Sequence, residues 1–378
     1  MHKNQTHVAF YIYQLHGGGA ERVLVNLMQY FIRQGLKIDL VLNSVTGPYL
    51  PQVPSEVRIV DLNAPKPFRH GIPQLMRYLR NEKPSIMVVS LHPCIEAALV
   101  AKLLTFSSTQ IVVREDSNLS LDAKMSTGRV HRAPLFAKLL YPWAHKIIAV
   151  SQGVAADLVQ ITGMPKKRIE VIYNPIVTPN LGKKSQESVE HSWFKPGEPP
   201  VIIGVGRLVP QKDFPMLIQA FAQVRKVRPC RLMILGQGSE QQNLNNLIAK
   251  LGLENDVTML GFVQNPYSYM AKAKVLALSS AWEGFGNVIV EAMAVGTPVI
   301  STDCQSGPAE VLANGKYGWL VPVGDSKAMA EAILSVLSGS SKPVDAGWLD
   351  QFNLESVCQK YLDTLRIPKF VFEAGVAK

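Results

Sequence analysis

The chain has 378 residues, 47% of them hydrophobic, which favours two globular domains and excludes a disordered protein. No run approaches the ~18–20 continuous apolar residues of a membrane-spanning helix. The net charge of +10 is concentrated in residues 1–198, with 23 Lys and Arg against 14 Asp and Glu, whereas residues 199–378 carry 16 against 15. This asymmetry fits either a solvated basic surface or an anionic partner, and the lack of a nucleic-acid motif argues against nucleic acid.

The first half alternates short β-branched runs with helical patterns. The apolar stretch from Val8 is short and runs into His16 and three glycines, so it predicts a first strand and not a signal peptide. Further strands are predicted at 37–43, 85–91, 110–115, 146–151 and 168–175, and helices at 20–34, 72–83, 94–104 and 134–143. Such alternation is typical of a parallel sheet with crossover helices, and it predicts one domain over residues 1–175.

Residues 176–200 are rich in Pro, Lys, Ser and Glu without an apolar period, which predicts a linker. A second α/β series follows, with strands at 201–206, 231–236, 257–262, 275–280 and 298–303, and helices at 214–228, 239–251, 266–272, 288–295 and 326–338. It predicts a second domain over 201–345, followed by a helical segment, 346–378, that could cross back to the first domain. The fold class is therefore α/β, with two doubly wound Rossmann-like domains facing a central cleft, where ligands bind at the carboxyl ends of strands.

The first strand-end motif is His16–Arg22, with the sequence HGGGAER. Consecutive glycines let backbone N–H groups approach a ligand, and the start of a helix favours an anion. The motif lacks the Lys-Ser/Thr of a P-loop and the full dinucleotide spacing, so a tight turn without a ligand remains the alternative.

The second motif is Gly206–Asp213, with the sequence GRLVPQKD, at the end of an apolar strand. Arg207 and Lys212 are five residues apart and can converge on one polyanion. A guanidinium with an ammonium suits a diphosphate. Pairing of these surface charges with Asp213 is the alternative.

The third motif, EGFGNVIVEAM, begins at Glu283 after another strand. Asn287 is predicted to cap a helix that ends at Gly296, which leaves backbone N–H groups near 286–288 as an anion site. Glu291 is expected in the first turn, where its carboxylate can accept hydrogen bonds from sugar hydroxyls. The alternatives are that Glu291 complements the helix dipole and that Glu283 forms a salt bridge within its loop.

A fourth motif, DCQSGPAE, ends at Glu310. Its Gly-Pro pair predicts a fixed turn beneath the cleft. Glu310 is interpreted either as a capping carboxylate or as a ligand.

These motifs together resemble glycosyltransferase family 4, the large retaining group with the GT-B fold. The resemblance covers about residues 8–340 and rests on GRLVPQKDF, EGFGNVIVE, AMAVGTPVIST and DCQSGPAEVL in the second half, and on HGGGAERV, AVSQGV and VIYNP in the first. It is closest to members that build bacterial cell-surface glycans, including N-acetylhexosamine transferases acting on lipid carriers.

The resemblance implies a role for each strand-end residue. Arg207 and Lys212 would hold the donor diphosphate, and Glu283 would face the donor sugar as the third catalytic residue. The nucleotide ribose would bind Glu291. Further donor contacts would come from Gly18, Gly19, Phe262 near the base, Phe285, Gly286, Asn287 and Val288.

The chain departs from the family after strand 110–115, where many members carry a His. Here the loop begins with Arg114 and Glu115. These two residues are acceptor-side candidates together with His92 and His16, although a structural histidine is the alternative for both histidines.

The resemblance implies a retaining, metal-independent hexosyltransferase that needs no cofactor and uses a nucleotide-sugar donor, with UDP as the expected nucleotide. The acceptor would be a glycan or a lipid-linked glycan. A nucleotide-sugar 2-epimerase and a catalytically inactive nucleotide-sugar-binding subunit on the same fold are the alternatives. Four scattered cysteines without a CxxC fit a reducing cytosol.

The basic first half also predicts reversible docking on an anionic membrane, which places the protein at the cytoplasmic face. Two segments alternate basic and apolar residues, Lys66–Arg80 and Lys124–Lys146. The alternative is that their apolar residues are core faces of ordinary helices.

Overall fold

The computed structural model describes residues 5–125, 130–345 and 347–368. The chain divides into two compact units, the first comprising Met1–Pro175 with Asn353–Lys378 and the second comprising Ile176–Phe352. Of the helical segment predicted at 346–378, residues 346 and 369–378 lie outside the described residues.

The first unit contains a seven-stranded parallel sheet in the order β3-β2-β1-β4-β5-β6-β7. Its strands are β1 (His7–Ile12), β2 (Lys37–Leu42), β3 (Arg58–Asp61), β4 (Ile86–Ser90), β5 (Gln110–Glu115), β6 (Lys146–Ala149) and β7 (Ile169–Val171). Its crossover helices are α1 (Gly19–Arg33), α2 (Ile72–Glu82), α3 (Cys94–Thr105), α4 (Leu119–Met125), α5 (Ala133–Leu140) and α6 (Gln152–Thr162). Every residue of β1 is buried, as expected for a central strand covered by helices on both faces.

The second unit contains a six-stranded parallel sheet in the order β10-β9-β8-β11-β12-β13. Its strands are β8 (Val201–Val205), β9 (Arg231–Leu235), β10 (Val257–Gly261), β11 (Val275–Leu278), β12 (Val299–Thr302) and β13 (Trp319–Val321). Its helices are α7 (Pro179–Ser185), α8 (Phe214–Val227), α9 (Gln241–Lys250), α10 (Pro266–Lys272), α11 (Asn287–Ala294), α12 (Pro308–Val311) and α13 (Ser326–Leu337). The last helix among the described residues, α14 (Leu354–Thr364), belongs to the first unit and packs on α1.

The structure confirms two doubly wound sheets, and each has one point where the strand order reverses. In the first sheet this point lies between β1 and β4, and in the second it lies between β8 and β11. Because the crossover helices on the two sides of such a point diverge, the carboxyl ends of these paired strands form a crevice that can hold a ligand.

The segment 176–200 contains α7 and a short helical turn at Ser192–Phe194. Helix α7 packs on α10, and Asn265 donates a hydrogen bond of 2.8 Å to the carbonyl of Lys184. These contacts place the segment within the second unit, although its composition predicts a linker.

Over the described ranges, no helix is long and apolar enough to cross a membrane. All four cysteines are buried as free thiols.

Candidate functional site

The crevice of the second unit brings together two of the sequence motifs. Arg207 follows β8 and Glu283 lies in the loop after β11, so both stand at the point where the strand order reverses. Lys212 occupies the last position of a short helical turn, Pro210–Lys212, between β8 and α8. The structure therefore places Arg207, Lys212 and Glu283 in two neighbouring loops of one sheet edge.

Lys212 and Glu283 form an ion pair in which the ammonium donates to Oε1 of the carboxylate. The hydroxyl of Ser280 donates to the same oxygen at 2.6 Å. The side chains of Lys212 and Glu283 are only 15% and 8% exposed, so the pair is shielded from water and held in one orientation.

Asp213, the alternative partner considered for the two cations, instead caps α8 by accepting a hydrogen bond from the backbone N–H of Met216. Burial raises the pKa of Asp213, and the Met216 hydrogen bond opposes that shift. In this structure, therefore, Lys212 pairs with Glu283 and not with Asp213.

The two loops are tied to each other through backbone groups. Gln211 donates from its side chain to the carbonyl of Trp282 at 3.0 Å and accepts at its own carbonyl from the N–H of Ala281 at 2.8 Å. Ser279 donates to the carbonyl of Lys212 at 2.7 Å. These bonds fix the backbone on both sides of the ion pair.

Arg207 is exposed, and its guanidinium lies 3.4 Å from the side-chain oxygen of Gln211. The bond is at the long end of the hydrogen-bonding range, so it holds the guanidinium only weakly. An accessible, positively charged group in the same loop as a shielded ammonium is an arrangement that can accept a phosphate.

Helix α11 begins one residue earlier than its predicted cap allows. Gly286, with φ of +89°, occupies the N-cap position, and Asn287 is the first helical residue, so the prediction that Asn287 caps the helix is wrong. The reason is conformational, because the turn needs a left-handed residue and glycine adopts it without strain. Val288 and Phe285 on either side of this turn are both buried.

Glu291 is consequently in the second turn of α11, so the prediction that it lies in the first turn is wrong. Its carboxylate is buried, and the hydroxyl of Tyr267 donates to it at 3.4 Å. Phe262 is half-buried just beyond the end of β10, at the same sheet edge but at the outer strand.

Glycine is required where the loop after β12 meets the turn before α11. A Cβ atom on Gly307 would lie 2.2 Å from the carbonyl oxygen of Phe285, and its φ is +97°. Any other residue would push the two loops apart, so the Gly-Pro turn expected from the sequence fixes the loop after β12 against the turn before α11. Pro308 then begins α12, with Glu310 in its first turn.

The crevice of the first unit begins with the glycines after β1. Gly18 is the N-cap of α1 with an extended backbone, and Gly19 is its first residue. A Cβ atom on Gly18 would lie 2.4 Å from the carboxylate of Glu21, so the loop is closely packed against the first turn of the helix. His16 is exposed in the same loop.

His92 follows β4 on the other side of this crevice and lies between two carboxylates. Its Nδ1 is 2.7 Å from Glu96 and its Nε2 is 3.2 Å from Glu115, to which Tyr141 also donates at 2.5 Å. Burial lowers the pKa of His92, but Glu115 and Glu96 outweigh it and raise the pKa to about 10. At neutral pH the imidazole is therefore a cation held between two buried carboxyl groups.

Arg114 is completely buried at the end of β5. Its guanidinium donates to Asp116, to Asn174 at 2.5 Å and to the hydroxyl of Tyr361 on α14 at 3.1 Å. Burial raises the pKa of Asp116 to about 6, although Arg114 opposes that shift. Arg114 therefore holds its loop in place through partners within the first unit.

Four residues of these networks are not among the site residues predicted from the sequence. They are Asp116, Glu96, Tyr141 and Ser280. Two of them had a detectable signal. Glu96 is four residues after His92 at the start of a helix, and Asp116 continues the Arg114–Glu115 motif. Tyr141 and Ser280 meet their partners only through the tertiary fold.

Within the described parts of the chain, no three His, Cys, Asp or Glu side chains are placed to hold a metal ion.

Two protein-family models match the chain. The model described as "Glycosyltransferase Family 4" matches residues 17–179, and the model described as "Glycosyl transferases group 1" matches residues 185–347. Together they span most of both units.

Among characterised proteins, the chain is 31% identical over 340 residues to an enzyme of Campylobacter jejuni, N-acetylgalactosamine-N,N'-diacetylbacillosaminyl-diphospho-undecaprenol 4-alpha-N-acetylgalactosaminyltransferase. That match covers 87% of this chain and 90% of the enzyme. The amylovoran biosynthesis glycosyltransferase AmsD of Erwinia amylovora is 26% identical, with 79% and 81% covered.

Among solved structures, HepE of Anabaena in complex with UDP and glucose superposes with a TM-score of 0.79 at 22% identity, covering 95% of this chain and 99% of HepE. Sucrose-phosphate synthase from Thermosynechococcus elongatus superposes equally well at 19% identity, covering 95% of this chain and 98% of that enzyme. At such identities the likeness concerns the fold.

Proposed function

Since this chain belongs to glycosyltransferase family 4 and has the GT-B fold, we propose that it transfers a hexose or N-acetylhexosamine from a UDP-sugar to a glycan or lipid-linked glycan acceptor. The product would be part of a cell-surface polysaccharide. The observation that carries the proposal is the group of Arg207, Lys212 and Glu283 at the reversal point of the second sheet.

In this proposal the donor diphosphate binds between Arg207 and Lys212. The Glu283 carboxylate, itself held by the Ser280 hydroxyl, orients Lys212 before the donor arrives. Because the ammonium is already oriented and shielded, it can stabilise charge on the departing nucleotide without reorganisation during the reaction.

The remaining donor contacts would surround this centre. Glu291 would accept hydrogen bonds from the ribose, Phe262 would lie near the base, and backbone groups from Phe285 to Val288 would meet the phosphates or sugar. The position of these backbone groups supports their proposed role, because the turn at Gly286 leads directly into the start of α11, and the start of a helix favours an anion. Gly18 and Gly19, at the start of α1, are proposed separately as donor-binding residues that act through their backbone groups.

The proposed chemistry retains the configuration of the anomeric carbon and needs neither a metal nor a cofactor. The bond between that carbon and the diphosphate breaks, and the acceptor oxygen bonds to the same face. The leaving phosphate takes the acceptor proton, while Arg207 and Lys212 offset its negative charge. Glu283 would face the sugar during this step.

On the acceptor side, we assign the exposed His16 to the edge that meets the incoming hydroxyl, and the buried Glu115 to the positioning of His92. His92 and Arg114 would act by positioning, because their partners are buried side chains of the first unit. The name of the Campylobacter relative, which includes a diphospho-undecaprenol, supports a lipid-linked acceptor and hence a peripheral position at the cytoplasmic face of a membrane.

A thermal-shift screen of UDP-, GDP- and TDP-sugars tests the donor. A ligand at ~100 times its Kd adds about 2.7 kcal/mol to the free energy of unfolding, so UDP-sugars should raise the melting temperature most. NMR of the product should then show an anomeric configuration equal to that of the donor, with turnover unchanged by EDTA. An inverted product, a requirement for metal or donor epimerisation without transfer would each refute the proposed mechanism.

A further inference from the structure

The first unit exposes an apolar strip along α5 and the turn after it. Leu135, Leu139 and Trp143 follow one another at four-residue spacing, and they are 56%, 59% and 59% exposed. The buried face of the same helix is made of Ala133 and Ala137. This is the reverse of an ordinary surface helix, which buries its large apolar side chains and exposes small or polar ones. The strip is therefore available to a partner.

The docking segments predicted from the sequence have different outcomes. In Lys66–Arg80, Leu75 is a fully buried residue of α2, as expected for a core face. In Lys124–Lys146, residues 126–129 lie outside the described part of the chain, but the strip of Leu135, Leu139 and Trp143 is exposed. The structure thus leaves the second segment as the one with an accessible apolar surface.

Cations surround this strip, and acids are missing from its sequence. Residues 130–156 contain no Asp or Glu, whereas Arg132 and Lys138 are exposed on or beside α5. Arg168 donates to the carbonyls of Pro142 and Ala144 at 3.2 Å each, which holds its charge next to Trp143.

A second sign of positive potential comes from His145, two residues after Trp143. Burial lowers the pKa of His145, and four surrounding cations lower it further. These cations are Lys102, Arg366, Lys146 and Arg168. Lys146 is in part compensated by Glu170 at 3.5 Å. An apolar ridge with cations along its sides is complementary to the anionic headgroups and acyl chains of a membrane surface.

We propose that Leu135, Leu139 and Trp143, with the cations beside them, form the surface by which this protein docks on an anionic lipid bilayer. The three side chains enter the headgroup region, and Arg132, Lys138 and Arg168 pair with lipid phosphates. Tryptophan is well suited to this position because its ring is apolar and its N–H is polar. The inference deepens the proposed function, because a transferase acting on a lipid-linked acceptor would be held next to it.

The test uses the full-length chain and vesicles of phosphatidylcholine with or without 30% phosphatidylglycerol, a mixture of about physiological charge density. At low salt the protein should sediment with the anionic vesicles and remain in solution with the neutral ones. Because the attraction fades within ~8 Å at physiological ionic strength and over a shorter distance at high salt, binding should fall as salt is added.

Variants at the strip separate this surface from the general charge of the first unit. Combining Leu135→Ser, Leu139→Ser and Trp143→Ser should weaken vesicle binding by about tenfold or more, and Lys138→Gln should weaken it roughly fivefold. The matched controls are Val227→Ser and Lys226→Gln, which change an exposed apolar residue and an exposed lysine of the second unit and should leave binding unchanged.

The proposal is overturned if the wild type ignores anionic vesicles at low salt, or if the triple variant binds them as well as the wild type. It is also overturned if the strip joins two copies of the chain. In that case the wild type is a dimer that does not bind vesicles, and the triple variant is a monomer. UDP-induced thermal stabilisation is measured alongside. Vesicle binding without UDP binding would reject the proposed donor and leave the docking surface intact, whereas the opposite result would reject only the docking surface.

Discussion

Both units place cations at the carboxyl edges of their sheets. The cations of the two units differ in their exposure and in the number of side chains that pair with them. In the second unit Arg207 is exposed, and Lys212 lies beside the single carboxylate of Glu283. In the first unit Arg114 is fully buried among three partners, and His92 lies between two carboxylates. A phosphate can gain charge pairing with the cations of the second unit. The cations of the first unit are already paired with carboxylates of the protein itself.

The net charge of the two units shows the opposite trend, because the excess of cations is in the first unit. The sequence of the first unit carries 24 Lys and Arg against 14 Asp and Glu, whereas the second unit carries 15 of each. The unit with no net charge thus has an accessible cation, Arg207, in its crevice, whereas the basic unit carries its excess elsewhere, including the sides of the exposed apolar strip on α5. Local placement of charge, and not the total, identifies the candidate phosphate site.

The largest expected effect comes from breaking the neutralised network of the first unit. Arg114→Leu leaves Asp116 buried without its cation, and removing one partner of a buried pair typically destabilises by about 3–5 kcal/mol. Urea denaturation should show this loss. The double variant Arg114→Leu with Asp116→Leu should recover part of it. If the single variant is as stable as the wild type, Arg114 does not hold the fold.

A slightly smaller effect, on rate and not on stability, is expected from the exposed cation of the second unit. Arg207→Ala should lower kcat about a hundredfold, or ~3 kcal/mol, by removing one oriented charge contact to the diphosphate. Its melting temperature should stay near that of the wild type, because Arg207 is exposed. Lys226→Ala, also exposed in the second unit, is the control. Unchanged turnover in Arg207→Ala would refute the assignment.

The comparison also predicts how stability depends on pH. The pKa of His92 is about 10 in the folded protein and ~6.5 in an unfolded chain, so its charged contacts stabilise the fold fully below pH ~6.5 and are lost as the pH rises through 10. At pH 7, His92→Gln should reduce the free energy of unfolding by about 2 kcal/mol.

This difference between wild type and His92→Gln should shrink between pH 7 and pH 10.5 in denaturation measured at each pH. His145→Gln changes an exposed histidine of the same unit and should show no such trend. A difference that stays constant with pH would show that His92 is not held as a cation.

The smallest expected effect distinguishes the roles of the two carboxylates in the EGFGNVIVE motif, Glu283 and Glu291. Glu291→Gln should weaken binding of free UDP severalfold, on the order of 1 kcal/mol, because the charged acceptor for the ribose hydroxyls is lost. Glu283→Gln should change UDP affinity less, since its proposed partner is the sugar. Calorimetry with UDP measures both. Equal or reversed losses would contradict this division.

Much of the fold could be predicted because strands buried on both faces are short, apolar and regularly spaced. The prediction failed for β3, where that signal was weak. Strand β3 was missed because three of its four residues are exposed and its pattern is not apolar. Helix α6 was missed despite usable signals, since Ser151 caps its first turn and Gly163 ends it in the left-handed conformation.

The candidate site also contains a part that could be predicted from the sequence and a part that could not. Residues at strand ends were identifiable because Arg207, Lys212 and Glu283 lie in motifs adjacent to apolar strands. Their interactions were not identifiable, because Lys212 and Glu283 are 71 positions apart, and Arg114 meets Tyr361 across 247 positions. The cap of α11 also depended on the φ of Gly286, which the sequence alone left open.

The return of α14 to the first unit has a consequence for the order in which the protein is made. A ribosome must translate the whole of the second unit before it adds Tyr361, so during that interval the nascent first unit holds Arg114 without its hydroxyl partner. Domains usually fold as units from the amino terminus during synthesis. Here the second unit can finish folding before the first, even though most of the first is translated earlier.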